Sequence, residues 1–126
     1  MTALKPWQAF GLEACQNRGF IEVTRAQQQE MLHQIGARNI MAISGGRVTM
    51  IPCGVLLPVG RGYSVSVMLN GKDLYSVTRW FKRGDYIDKG TMEDVTCDDV
   101  AEVAYYASCF VNVAFPLVFE GEGGIQ

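Results

Sequence analysis

A chain of 126 residues, 48% apolar and 19% charged, has the length of one domain and the balance of a folded one. Such a chain can bury roughly two-thirds of its unfolded surface, so it needs neither metal nor disulfide to fold. No apolar run reaches the ~18 residues of a membrane helix, and the first residues, MTALKPWQAF, lack the basic-then-apolar layout of a signal peptide.

A cytoplasmic protein with no membrane partner is therefore expected. The net charge of −2 hides an asymmetry. Residues 1–83 carry ten Lys/Arg and four acids, a balance of +6, whereas residues 84–126 carry one lysine and nine acids, a balance of −8. Such a split marks either an anion-binding face beside an acidic one or two halves that attract each other. Cys15, Cys53, Cys97 and Cys109 are scattered without a C-x-x-C pair and read as small buried hydrophobes. His33 is the sole histidine, so no metal or other cofactor is expected.

In chain order, KPWQAFGLEACQNRG predicts a short helix with Pro6 in its first turn, weakened by Gly11 and stopped by Gly19. Thr24 to Gln27 form a capping box, and the helix that follows ends at Gly36. Its apolar stripe rests on Met31, Leu32 and Ile35. NIMAIS (39–44), Gly45-Gly46 and RVTMI (47–51) read as a hairpin around a glycine turn. Residues 55–57 fit at most a short edge strand, because Pro58 cannot donate to a ladder. An edge near residues 53–60 could pair subunits into a homo-oligomer.

The strongest local signal is YSVSVMLNGKDLYSVTRWF (63–81), two alternating strands across Asn70-Gly71, the pair favoured in a type I′ turn. Alternation places Ser76, Thr78 and Trp80 on one face of the second strand and Tyr75, Val77, Arg79 and Phe81 on the other. A further strand at 85–95 is expected to bend or bulge at Gly90. Thr96, Asp98 and Asp99 open a last helix, with an apolar stripe of Val100, Val103, Ala104, Ala107, Phe110 and Val111 that Pro116 ends.

The expectation is a single α+β domain over residues 1–126. An antiparallel sheet of four to five strands carries N-terminal and C-terminal helices on one face. Residues 1–23 form a helical extension, 24–115 the core and 116–126 a flexible tail.

Catalytic motifs are lacking. There is no phosphate-binding G-x-x-x-x-G-K-[ST], and a Cys–His nucleophile would have to use His33 on a polar helix. Asp85/Asp88, Glu93/Asp94 and Asp98/Asp99 read as a solvated acidic edge and a helix start. The chain is therefore expected not to be an enzyme. The run TRWFKRGDY (78–86) instead concentrates contact chemistry. Arg79, Lys82 and Arg83 supply charge, and Trp80 and Tyr86 supply flat faces for stacking, with Arg47, Arg61 and Lys72 as further cations. The same residues also suit core on one face and a snorkelling cation on the other.

HQIGARNIMAISGGR (33–47), GVLLP (54–58) with YSVSVMLNGKDLYSV (63–77), and the Arg83-Gly84 step before a strand and final helix occur in that order. Together they resemble small proteins encoded in phage and prophage genomes, with LNGKDLYSV the most specific piece. The resemblance spans about residues 29 to 110 and supplies no catalytic residue. It implies a phage accessory protein working inside a bacterial cell. The expected function is non-enzymatic binding to a host protein or complex, for example to inhibit a defence or metabolic system. One alternative is a nucleic-acid-binding module using the same cations, which the overall negative charge opposes. A second is a small-molecule-binding or enzymatic domain with a pocket at Tyr63, Tyr75 or Trp80.

Overall fold

The computed structural model describes residues 3–116. The elements run β1 (Ala3–Leu4), α1 (Pro6–Phe10), α2 (Leu12–Asn17), α3 (Arg25–Ile35), α4 (Ala37–Ser44), β2 (Thr49–Ile51), β3 (Gly54–Gly60), β4 (Tyr63–Leu69), β5 (Tyr75–Arg83), β6 (Asp85–Val95) and α5 (Val100–Ser108). The six strands form one antiparallel sheet in the order β1-β6-β5-β4-β3-β2, so the fold is mixed α and β with six strands rather than four to five. Beyond Pro116 the expected flexible tail lies outside the described residues. No helix among them is long and apolar enough to cross a membrane.

Helix α3 forms where its caps predict. The Thr24 hydroxyl accepts from the Gln27 amide at 3.1 Å, and the Gln27 side chain accepts from the Thr24 amide at 2.8 Å. Met31 and Ile35 are buried as expected. Gln28, from the polar run, is buried too, and its amide nitrogen donates to the carbonyls of Ile51 (2.9 Å) and Gly54 (3.2 Å). It thereby ties α3 to the turn between β2 and β3.

NIMAIS is helix α4, not a strand. Ile40 and Ile43 stand three apart and pack together with the core, while Met41 is 63% exposed. Gly45 takes the left-handed conformation (φ 65°) and caps the helix, so the glycine pair stops a helix instead of turning a hairpin. The hairpin partner of β2 is β3. Strand β3 is consequently internal, with Val55, Leu56 and Leu57 buried on both faces, and β2 takes the outer edge. Pro58 is tolerated because β2 ends opposite Leu56.

The β4–β5 hairpin has the expected faces but a longer turn. The Asn70 amide donates to the Leu74 carbonyl at 2.9 Å, and Asp73 (φ 65°), not Gly71, is the left-handed residue. Asn70 Oδ1 accepts from the amides of Lys72 and Leu74, which holds the loop without a two-residue turn. β6 carries two bulges. Lys89-Gly90 opposes Arg79, at the expected place, and Glu93-Asp94 opposes Ser76.

Each sheet face has its own apolar cluster. Val55, Leu57, Val65, Val67, Leu69, Tyr75 and Val77 pack with residues of α3, α4 and α5. Leu56, Met68 and Trp80 pack with Ala9 and Phe10 of α1 and Cys15 of α2. Helices therefore cover both faces, which corrects the expected one-face arrangement. The N-terminal segment turns back at Gly11 and closes over the second face, with β1 pairing to β6.

Cys15 and Cys53 are buried there as small hydrophobes, whereas Cys97 is exposed and Cys109 half-buried. Burial, with the neighbouring Cys15 adding to it, pushes the Cys53 thiol from 9.0 up to about 12. Above pH 9.0 the unfolded chain loses this proton while the folded chain keeps it. Stability to urea is therefore expected to fall as pH rises, approaching about 1.4 kcal/mol per pH unit. Equilibrium unfolding at closely spaced values between pH 8 and 10 tests this. Cys53→Ala should flatten the slope, and an unchanged slope would refute the assignment.

Candidate contact surface

Two of the eight expected contact residues lie in the interior. Arg79 is 6% exposed and Trp80 1% exposed. The Arg79 side chain runs beneath the end of α5, where Nε donates to the Ala107 carbonyl at 2.7 Å and Nη2 to the carbonyls of Tyr106 (3.2 Å) and Val113 (2.7 Å). Helix ends leave carbonyls without partners, and a cation there also meets the negative end of the helix dipole. Burial pushes the Arg79 guanidinium down from its ordinary value, but three accepting carbonyls hold the charged form. Trp80 Nε1 donates to the Ser66 hydroxyl at 2.9 Å, and its ring meets Phe10 and Tyr86 edge-on. Both residues are structural, because β5 is internal and at this point carries α5 over Arg79 on one face and α1 over Trp80 on the other.

The other six remain at the surface. Tyr86 is half-buried against Phe10 and Trp80, with the Lys82 ammonium 5.5 Å above its ring. Lys72 sits in the β4–β5 loop, at the opposite end of the sheet from Arg61, Lys82 and Arg83. Arg47 precedes β2, with Nε donating to the Ser44 carbonyl at 3.0 Å, and register places it towards the Arg61 end.

Arg61, Lys82 and Arg83 share one end of the sheet. The β3–β4 turn has positive φ at Gly60, Arg61 (56°) and Gly62, and the Lys82 amide donates to the Gly62 carbonyl at 2.7 Å. A Cβ on Gly62 would stand 2.9 Å from the Lys82 carbonyl oxygen, so only glycine lets the turn lie this close to β5. Arginine in the left-handed region costs on the order of 1 kcal/mol, a strain associated with functional positions.

An aromatic group that sequence reasoning missed lies at the same end of the sheet, on the face opposite the Lys82 side chain, which rests over Tyr86. Tyr63 and Phe110 stack at 4.0 Å with planes 9° apart, and Tyr63 meets Phe81, its cross-strand partner, at 4.9 Å. All three are half-buried, and the adjoining Val111 is 69% exposed. Hairpin register could have paired Tyr63 with Phe81. Phe110 carried no such signal, because it reads as one more position of the apolar stripe of α5, which in fact stops at Ser108.

The charges segregate accordingly. Lys5–Asp85, at 3.1 Å, is the one ion pair among the described residues, and it leaves Arg61, Lys82 and Arg83 without a carboxylate partner there. Asp73, Glu93, Asp94, Asp98, Asp99 and Glu102 lie at the other end, in the β4–β5 loop with Lys72, the end of β6 and the start of α5, while Asp85 at the cationic end is paired with Lys5. No family model, curated protein or solved structure matches the chain.

Proposed function

We propose that the chain is a non-catalytic phage accessory protein that binds a bacterial host protein through the end formed by Arg61, Lys82, Arg83 and the Tyr63–Phe81–Phe110 group. The observation that carries this reading is that one end of the sheet holds three cations, unpaired among the described residues, together with partly exposed rings and Val111, Lys82 lying on the Tyr86 face and the rings on the other. Protein interfaces favour aromatic and arginine anchors at their centres. The complementary partner is an acidic surface with an apolar recess. Phage origin and a host target follow from the resemblance of 33–47, 54–58 and 63–77 described above. Cations beside stackable rings also fit single-stranded nucleic acid, but the net charge of −2 and the acidic far end oppose polyanion binding.

Charge reversal at exposed positions tests this with the fold intact. In co-purification from a bacterial host lysate, Arg61→Glu/Lys82→Glu/Arg83→Glu is expected to weaken partner capture about tenfold or more, and Val111→Asp to weaken it severalfold. Both variants should melt as the wild type does. Equal capture by all three proteins would remove the surface from consideration. Oligonucleotide binding that collapses between low and moderate salt would transfer it to nucleic acid.

A further inference from the structure

The second face of the sheet is only partly covered. Helices α1 and α2 pack over Leu56, Met68 and Trp80, and next to them the strands present polar side chains. Ser76 and Thr78 of β5 and Asp88, Thr91 and Glu93 of β6 line a cleft of about 310 Å³, walled by Arg18 and Phe20. That volume lies at the lower end of the roughly 300–1,000 Å³ range of small-molecule sites.

The two bulges of β6 create this lining. Glu93-Asp94 opposes Ser76, with Asp94 at φ 57°, and Lys89-Gly90 opposes Arg79, with Gly90 at φ 140°. The extra residues bring Asp88, Thr91 and Glu93 to the face that holds Ser76 and Thr78. Bulges commonly re-aim side chains beside functional sites.

One atom in the cleft is unaccounted for by the fold. Ser76 is 2% exposed, and among the described residues its hydroxyl has no hydrogen-bond partner. Its neighbours show what is missing. The Thr91 hydroxyl donates to Asp88 Oδ2 at 3.0 Å, and the Gly90 amide donates to Asp88 Oδ1 at 2.7 Å. Thr91 has only one proton, so Thr78, 2.9 Å away, must donate to Thr91. Thr78 then offers only lone pairs to the cleft, and the Glu93 carboxylate, without a hydrogen bond among the described residues, offers more. Ser76 offers a donor and lone pairs. Arg18 adds cationic donors, anchored on the Ala9 and Ala14 carbonyls and lying 5.5 Å over the Phe20 ring.

A ligand here must donate to Glu93 and Thr78 and also accept from Ser76 and Arg18. An inorganic anion would meet two carboxylates, Asp88 and Glu93, against the one cation Arg18. A simple ammonium cannot accept. Among the described residues no three His, Cys, Asp or Glu side chains group closely enough to hold a metal. Hydroxyl groups do both tasks, and a carboxylate accepts well from two adjacent ones. We propose that this cleft binds a sugar-type ring through a vicinal diol, held by Ser76, Thr78, Glu93 and Arg18, with Phe20 as its apolar wall.

The test is a titration of the ¹⁵N-labelled full chain with D-glucose, D-ribose, adenosine and 2′,3′-dideoxyadenosine, followed by amide shifts. At least one diol should produce saturable shifts at Ser76, Thr78, Thr91 and Glu93 with a midpoint of about 1 mM or below. Glucose or ribose and adenosine separate a free sugar from a nucleoside. If adenosine is the ligand, the dideoxy compound should bind about tenfold more weakly. Ser76→Ala and Glu93→Gln should each weaken binding about fivefold or more. Ser76→Ala should melt no lower than wild type, because it removes a buried hydroxyl that lacks a partner. Absence of shifts at about 10 mM of every diol, equal binding of the dideoxy compound, or unaltered binding by both variants would overturn the proposal.

Discussion

Arg79→Ala is expected to destabilise the fold by about 3 kcal/mol or more in equilibrium urea unfolding. Hydrogen bonds to a charged group contribute about 1.5–3 kcal/mol each, and the wild-type side chain makes three, to Ala107, Tyr106 and Val113. Relief of the guanidinium's desolvation offsets part of this, but the alanine variant also loses the contact with Phe115, whose ring lies 5.5 Å away. Arg79→Lys should recover only a fraction, since one ammonium cannot reproduce the planar fork that meets diverging carbonyls. Arg79→Met keeps apolar bulk without donors and should fall between alanine and lysine. A loss below about 1 kcal/mol for alanine would show that the end of α5 is held by something else.

Trp80→Ala should cost about 3–5 kcal/mol, the range for deleting a fully buried large aromatic. The ring fills the space between Phe10, Tyr86 and Met68 under α1, and alanine leaves a void that two short helices cannot fill by collapse. Trp80→Phe separates packing from polarity. It keeps most of the contacts but leaves the buried Ser66 hydroxyl without its donor, at about 1–3 kcal/mol. Fluorescence provides a second readout, because Trp7 is 68% exposed and Trp80 1%. Trp7→Phe should leave a blue-shifted spectrum that moves red on unfolding, and Trp80→Phe a spectrum already red in the native state. A red native spectrum for Trp7→Phe would show that Trp80 is exposed. Loss of partner binding by alanine at Arg79 or Trp80 would thus report damage to the interior. The exposed set Arg61, Lys82, Arg83 and Val111 is the one that tests contact.

What the sequence disclosed was what short-range chemistry decides. The Thr24–Gln27 cap, the stop at Gly36, the β4–β5 alternation and the Gly90 bulge each depend on a few adjacent residues. NIMAIS misled because Ile40 and Ile43 suit helix packing while the segment is also rich in strand formers, and Gly45-Gly46 can cap a helix or turn a hairpin. VLL read as an edge because nothing local shows that α1 and α2 return over the far face and let β3 be buried on both sides. Arg79 was placed on its correct face, but the helix end waiting on that face is a tertiary fact. Lys82 and Arg83 of the contact surface are visible in TRWFKRGDY and Arg61 in the β3–β4 turn, whereas the sequence points to Trp80 and Tyr86 as the rings. Burial removes Trp80, and Tyr63, Phe81 and Phe110 add half-buried rings at the same end of the sheet as the half-buried Tyr86. The Ser76 cleft left no trace in sequence, because it exists only through the register of β5 against a doubly bulged β6.

The segregation of charge along the sheet has a consequence for encounter kinetics. A body of net charge −2 would approach an acidic target slowly if its charge were spread evenly. With Arg61, Lys82 and Arg83 at one pole and Asp73, Glu93, Asp94 and Asp98 at the other, the field of the acidic partner proposed above would exert a torque that turns the positive pole forward before contact. Capture speed is then governed by orientation, and dissolved ions that shorten the reach of the field slow it despite the unfavourable total charge.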